Sequence, residues 1–252
     1  MPPMATVLAA LDNSLAANPV LVAGRALARA LGVRVEAIHV LDERLDAAES
    51  AARAAGVPLR LDSGPVVERL VAAGEAEDVA AMVIGARGTV ASDHTLGSTA
   101  LAVVTSLRTP VVVVPPAAEV APRLRRALVP LEATTSSSLS PWSTLELAAG
   151  TQVDAIVLHI DGGDEDEKWT REVLARYCPW GIGEVRLERR AGSREEIVPG
   201  IAEESNADLV VLGWARQLSD DRSPVVRAVL ERSKLPVMLI PVSVEGGDDE
   251  HP

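Results

Sequence analysis

The segment Val83–Thr99 reads VIGARGTVASDHTLGST and carries the residue types that cradle an anion. Glycine is needed where a chain takes positive φ, or where a phosphate oxygen must approach with no Cβ in the way. Gly85 and Gly88 supply that at the end of an apolar run. Gly97 and Ser98 reopen order at a helix start, where N–H groups without intrahelical partners and one hydroxyl would face the loop. Arg87 between the first two glycines has two readings, a phosphate-neutralising cation or a solvated loop arginine. Glycines alone equally suit a plain strand-to-helix turn.

The elements around the loop decide between those readings. Ala5–Leu11 (ATVLAAL) is a short apolar run, closed by Asp12-Asn13-Ser14. Helical spacing over 19–31, a strand-like VRVEAIHVL over 33–41 and an alanine-rich helix over 43–55 follow. A strand over 57–61, a helix over 65–73, a strand over 79–84, a helix over 97–107 and TPVVVV over 109–114 complete a β-α alternation. That alternation predicts a parallel sheet with helices on both faces. In an open sheet ordered 3-2-1-4-5, ligands sit beyond the carboxyl ends of strands one and four, where the order reverses. Asp12 follows strand one and the glycines follow strand four, so both groups converge on one crevice. Asp12 equally fits a helix N-cap.

The same order begins again after PPAAEVAPRLRR. ALVPL matches the first strand, VDAIVLHI matches VRVEAIHV, DLVVLG matches AAMVIG, and LPVMLIP matches TPVVVVP. Helices are expected over 141–149, 167–178, 193–204 and 223–233, and a strand over 184–188. The chain therefore reads as two tandem α/β units of the flavodoxin- or Rossmann-like kind, each of about 120 residues. The expected organisation is a first domain over 1–116, a linker over 117–126, a second domain over 127–243 and an acidic, disordered tail over 244–252.

The repeated five-strand unit, the Asp after strand one, GARG followed by GS, and the His39-Val40 pair ending strand two together resemble the universal stress protein family. So does SREEIVPGIAEESNADLVVLG over 193–213. The resemblance covers nearly the whole chain. Its ATP-binding members carry G-x2-G-x9-G-[S/T]. It implies that Asp12 meets the ribose or adenine side of a nucleotide and that the main chain of Val40 meets the adenine edge. It further implies that Gly85, Gly88, Gly97 and Ser98 surround the phosphates with Thr99 beside them. ATP or another adenine nucleotide is the implied ligand, with Mg possible beside a triphosphate. This chain departs from the motif: only TVASDHTL separates Gly88 from Gly97, one residue fewer. A one-residue deletion is cheap in loop entropy, yet it can move the Gly97-Ser98 amides by about 3.5 Å.

The second unit has lost more. Arg216 stands where the second glycine belongs, Ser223-Pro224 replaces Gly-Ser, and Glu132 replaces the Asp after strand one. Pro224 has no N–H for an anion, and Asp220 and Asp221 repel a phosphate. No nucleotide is expected there.

Composition bounds the remaining choices. A net charge of −12 and no long lysine/arginine cluster disfavour nucleic acid and anionic membranes as partners. The single cysteine, Cys178, precludes an intrachain disulfide and reads as a buried apolar group. Neither a signal peptide nor an apolar run of about 20 residues is visible, so a cytoplasmic location is expected. His94 reads as a solvated loop histidine. His39 and His159 recur at equivalent strand ends and read as packing residues. Thr134–Ser138 reads as a polar loop, and Asp161–Glu167 lacks calcium-loop spacing. No catalytic residue and no metal ligand stands out.

Bare valines at a sheet edge template aggregation, so TPVVVV and LPVMLI are expected to pair with each other. In the resembling family this last strand mediates dimerisation; a further homodimer is compatible with that arrangement. The favoured function is a nucleotide-binding stress sensor or adaptor with an unidentified protein partner. The alternatives are a non-binding scaffold for protein–protein interaction and, third, a slow ATP hydrolase.

Overall fold

A computed structural model describes residues 5–14, 17–41, 46–87, 96–116, 118–131, 153–160, 185–214, 216, 218 and 223–241. The helices expected over 141–149 and 167–178 lie outside these residues. So do Gly88, His94, Glu132, Thr134–Ser138, Asp161–Glu167, Cys178, Asp220, Asp221 and the acidic tail.

In the first half the order is β1 (Thr6–Ala10), α1 (Ala17–Leu31), β2 (Arg34–Val40), α2 (Asp46–Ala55), β3 (Leu59–Asp62), α3 (Val66–Gly74), β4 (Val79–Gly85), α4 (Ser98–Ser106) and β5 (Val111–Val114). The second half contributes β6 (Arg126–Leu131), β7 (Asp154–Ile160), β8 (Val185–Arg190), α5 (Arg194–Glu204), β9 (Leu209–Trp214), α6 (Pro224–Arg232) and β10 (Val237–Pro241). All strands join one ten-stranded sheet ordered β3-β2-β1-β4-β5-β10-β9-β6-β7-β8. Each half thus has the 3-2-1-4-5 order, and the halves meet through their last strands. That seam is antiparallel, with Val113 opposite Val237, Val112 opposite Met238 and Val111 opposite Leu239. The expected edge pairing is found.

Strand side chains alternate between two apolar layers. Leu8, Ile38, Met82, Val111 and Val113 join Leu128, Ile156, Val237 and Leu239 on the face covered by α3, α4, α5 and α6. Val7, Ala9, Ala37, Val83 and Val112 join Val129, Val211, Met238 and Ile240 on the face that carries α1 and α2. Burial on both faces explains why the strands read as continuous apolar runs rather than alternating ones.

Local chemistry sets the helix ends. α1 and α2 stop at Gly32 (φ +67) and Gly56 (φ +65). Past each glycine the chain bonds back, Val33 N–H to the Ala28 carbonyl at 2.9 Å and Val57 N–H to the Ala52 carbonyl at 3.0 Å. This is the left-handed glycine cap that returns each helix to a strand. The connecting segment is docked rather than loose. Leu124 is buried, Ala118 and Val120 pack against the α1 layer, and Arg29 donates to the Pro122 carbonyl at 3.2 Å.

Candidate functional site at the carboxyl edge of β1 and β4

Register brings the candidate residues together. Ala10 lies opposite Ile38 on β2 and Ile84 on β4, and Gly85 lies opposite Val114. Continuing by two residues sets Asp12 level with Val40 on one side and with Ala86 on the other. Val40 is buried at the last rung of β2, opposite Asp62. Leu11 closes this edge, its N–H donating to the Ile38 carbonyl at 2.8 Å and its carbonyl meeting His39 Nδ1 at 2.9 Å. His39 therefore pins the chain one residue before Asp12, which accounts for a histidine ending the strand.

Asp12 is partly buried. Its Oδ1 accepts the Ser14 amide at 3.0 Å and the Ser14 hydroxyl. That is an Asx turn, not the helix N-cap that the sequence allows, because Asn13 and Ser14 after it are not helical. Asp12 is thereby held at the crevice mouth. Asn13 reaches the other way, its Oδ1 3.4 Å from the Ala48 amide of α2.

On the other side of the crevice, β4 runs out through Gly85, Ala86 and Arg87. The Ala86 amide donates to Val114 at 2.8 Å, and the Ala86 carbonyl accepts the Gly97 amide at 2.8 Å. This corrects one expectation: the Gly97 N–H is not available to an anion, because it tethers α4 to the end of β4. Gly97 is the N-cap of α4, with φ −63 and ψ 155 and no side-chain capping bond. The Leu101 amide already bonds back to Gly97 at 2.9 Å. Helix geometry therefore leaves the amides of Ser98, Thr99 and Ala100 without intrahelical acceptors, and Ser98 and Thr99 are exposed. Arg87 is half-buried, and among the described residues its Nε has no hydrogen-bond partner. A buried guanidinium nitrogen without an acceptor is unfavourable, and an anion at this edge would satisfy it. Asp12, Val40, Gly85, Arg87, Gly97, Ser98 and Thr99 thus lie along one edge, while Gly88 lies outside the described residues.

The second half differs at the same edge. β1 pairs with β4 from Thr6 to Ala10, whereas β6 pairs with β9 only at Ala127–Leu209 and Leu128–Val210. Pro130 supplies the reason. It matches Ala10, whose N–H points toward the fourth strand, and proline has no N–H to give. The β6–β7 ladder, facing the other way, continues to Leu131. Arg216 takes φ 59, the left-handed conformation a glycine would favour at that place. Pro224 is the first residue of α6, as expected, and offers no amide. Trp214, the counterpart of Ala86, is 1% exposed, and its Nε1 donates to the Val104 carbonyl of α4 at 3.4 Å.

Sequence reasoning missed three of these residues. Pro130 was visible as a proline inside a strand, and Trp214 as a large ring directly after Gly213. Asp208 gave no signal; its Oδ2 accepts the Arg125 amide at 2.7 Å and the Arg126 amide at 3.0 Å, joining the entry of β9 to that of β6.

The model of the universal stress protein family matches residues 45–115 and 129–241. The chain belongs to that family. The matched segments contain Gly85, Arg87 and the α4 amides, while Asp12 and Val40 precede them. Among solved structures, a universal stress protein from Archaeoglobus fulgidus DSM 4304 is similar at 20% identity and a TM-score of 0.67, covering 97% of each chain. Protein PA1789 from Pseudomonas aeruginosa PAO1 is similar at 12% identity and a TM-score of 0.66, covering 95% of this chain and 93% of its own. A third similar structure, from Pseudomonas aeruginosa UCBPP-PA14, has 13% identity and a TM-score of 0.65, with 95% and 94% covered. These likenesses extend over both halves and establish the tandem fold. Among curated proteins, none matches the chain. No described helix is long and apolar enough to cross a membrane, and no described group of acidic, histidine or cysteine side chains could hold a metal ion.

Proposed function

We propose that the first half of this universal stress protein binds an adenine nucleotide, ATP or AMP, and that the protein acts as a stress sensor or regulatory adaptor. What supports the reading is that Asp12 after β1, Arg87 after β4 and the first residues of α4, Ser98 and Thr99, all stand at the same carboxyl edge of the sheet. Asp12 would meet the ribose or base side, and the main chain of Val40 the adenine edge. Gly85, Gly88 and Gly97 would let phosphate oxygens approach, and Arg87 would neutralise them. With ATP, Mg would accompany the phosphates. The second half lacks the glycine, the amide and the intact ladder of the first, and serves as a structural partner.

The test is a thermal shift with ATP and AMP on the full chain. Binding only the folded state stabilises by RT ln(1 + [L]/Kd), about 2.7 kcal/mol at a hundredfold excess over Kd. A shift that Gly88→Val abolishes supports the reading. No shift at millimolar nucleotide overturns it in favour of a scaffold, the reading favoured by the consumed Gly97 amide. Multiple-turnover phosphate release would instead mark a slow hydrolase.

A further inference from the structure

We infer that the second half sets the nucleotide affinity of the first by fixing α4 through Trp214. The inference rests on the nucleotide reading above and adds a regulator to that site.

α4 is held at both ends by the residue after a fourth-strand glycine. At its start, the Gly97 amide bonds to the carbonyl of Ala86. Near its end, the Val104 carbonyl accepts the indole N–H of Trp214. Register makes the two holders equivalent: Leu8 lies opposite Met82 and Leu128 opposite Val210, so Ala86 and Trp214 occupy the same place in their halves.

Helix geometry explains why Trp214 is needed. The donor for the Val104 carbonyl in a longer helix would be the Arg108 amide, but that amide turns away to the Glu75 carboxylate. Val104 is 1% exposed, so its carbonyl would otherwise be buried and unsatisfied. Trp214 supplies the donor from the other half, and its ring packs in the same layer as Ala100, Val103, Val104 and Leu107. α4 spans nine residues, about 13 Å. A rod that short moves as one body, so a shift at the Trp214 end displaces the Ser98 and Thr99 amides. Hydrogen-bond donors lose effect when displaced by about 0.5 Å.

Two measurements on the full chain, with ATP as probe, decide the matter. Equilibrium dialysis of labelled ATP compares the wild type with Trp214→Phe, which keeps an aromatic ring but deletes the N–H. The expected result is a Kd about three- to tenfold weaker. Separately, the triple variant W142F/W169F/W180F leaves Trp214 as the sole indole. Its emission should shift saturably with ATP, with a midpoint at the dialysis Kd. An unchanged Kd in Trp214→Phe overturns the inference, as does silent Trp214 emission at saturating ATP. If Trp214→Phe does not fold, the emission measurement alone decides. If wild-type dialysis detects no ATP, the nucleotide reading falls and this inference with it. ATP bound with Trp214 indifferent removes the inference alone.

Discussion

The amide of Gly97 donates to the carbonyl of Ala86 at 2.8 Å, so the residue that follows β4 and the start of α4 are one hydrogen-bonded unit. An anion here must be met by the next amides along the helix.

That relationship makes Ser98→Pro the sharpest probe of the site. Proline is tolerated at the first helical position, and Gly97 already has the extended ψ of 155 that a following proline requires. The variant should fold with near wild-type stability while losing one amide donor to the ligand. A charge-assisted hydrogen bond contributes about 1.5–3 kcal/mol, so ATP affinity should fall at least about tenfold. Titration calorimetry checks this, and an unchanged Kd would remove the Ser98 amide from the site.

The seam between the halves is a second target. Val112 is 2% exposed and faces Met238 across the antiparallel pair. Val112→Asp would bury a carboxylate without a partner, and we expect a loss of more than about 3 kcal/mol. Urea unfolding followed by circular dichroism should show a lower midpoint.

Asp208 is 9% exposed and accepts two backbone amides through one oxygen. Asp208→Ala leaves both amides without that acceptor, so stability should fall by about 2–3 kcal/mol. Asp208→Asn, which keeps an oxygen acceptor, should lose less. Equal losses in urea unfolding would show that a neutral oxygen cannot replace the carboxylate as acceptor.

Arg216 holds φ 59. An L-residue pays about 1–2 kcal/mol in the left-handed region, and glycine returns about 0.5–1 kcal/mol of that through unfolded-state entropy. Arg216→Gly should therefore raise stability by about 0.5–1 kcal/mol, read as a higher urea midpoint.

The carboxyl of Glu195 at the start of α5 lies below its usual 4.5, first through the Ser193 hydroxyl bond, then its own amide and the nearby Arg194 and Arg232. A lowered folded value means that its contribution is present above pH 4.5 and fades as pH falls through the folded value. Glu195→Gln should leave the melting temperature near pH 4.5 and above slightly reduced and make the two proteins converge in stronger acid. A gap that widens on acidification would contradict this sign.

Most strands and helices were legible because each buries a face with the right period. β1, β4 and β5 read as apolar runs, and Gly32 and Gly56 mark helix ends that the structure caps with φ +67 and +65. The pairing of TPVVVV with LPVMLI was legible because unpaired valine edges are unstable in water. Asp12 illustrates what was not legible. An aspartate before a helix fits a cap, and only the fold shows its carboxylate accepting the Ser14 amide and hydroxyl in an Asx turn instead.

The sequence by itself determined the repeated β-α order, the apolar layers and the family, since periodicity, turn chemistry and motif spacing are local properties of the chain. Only the tertiary structure decided which donors remain at the crevice. The Gly97 amide, the Val104 carbonyl and the missing N–H of Pro130 find or lack partners 11 to 110 residues away. Hydrogen-bond satisfaction depends on which strands become neighbours, and spacing along one strand does not encode that.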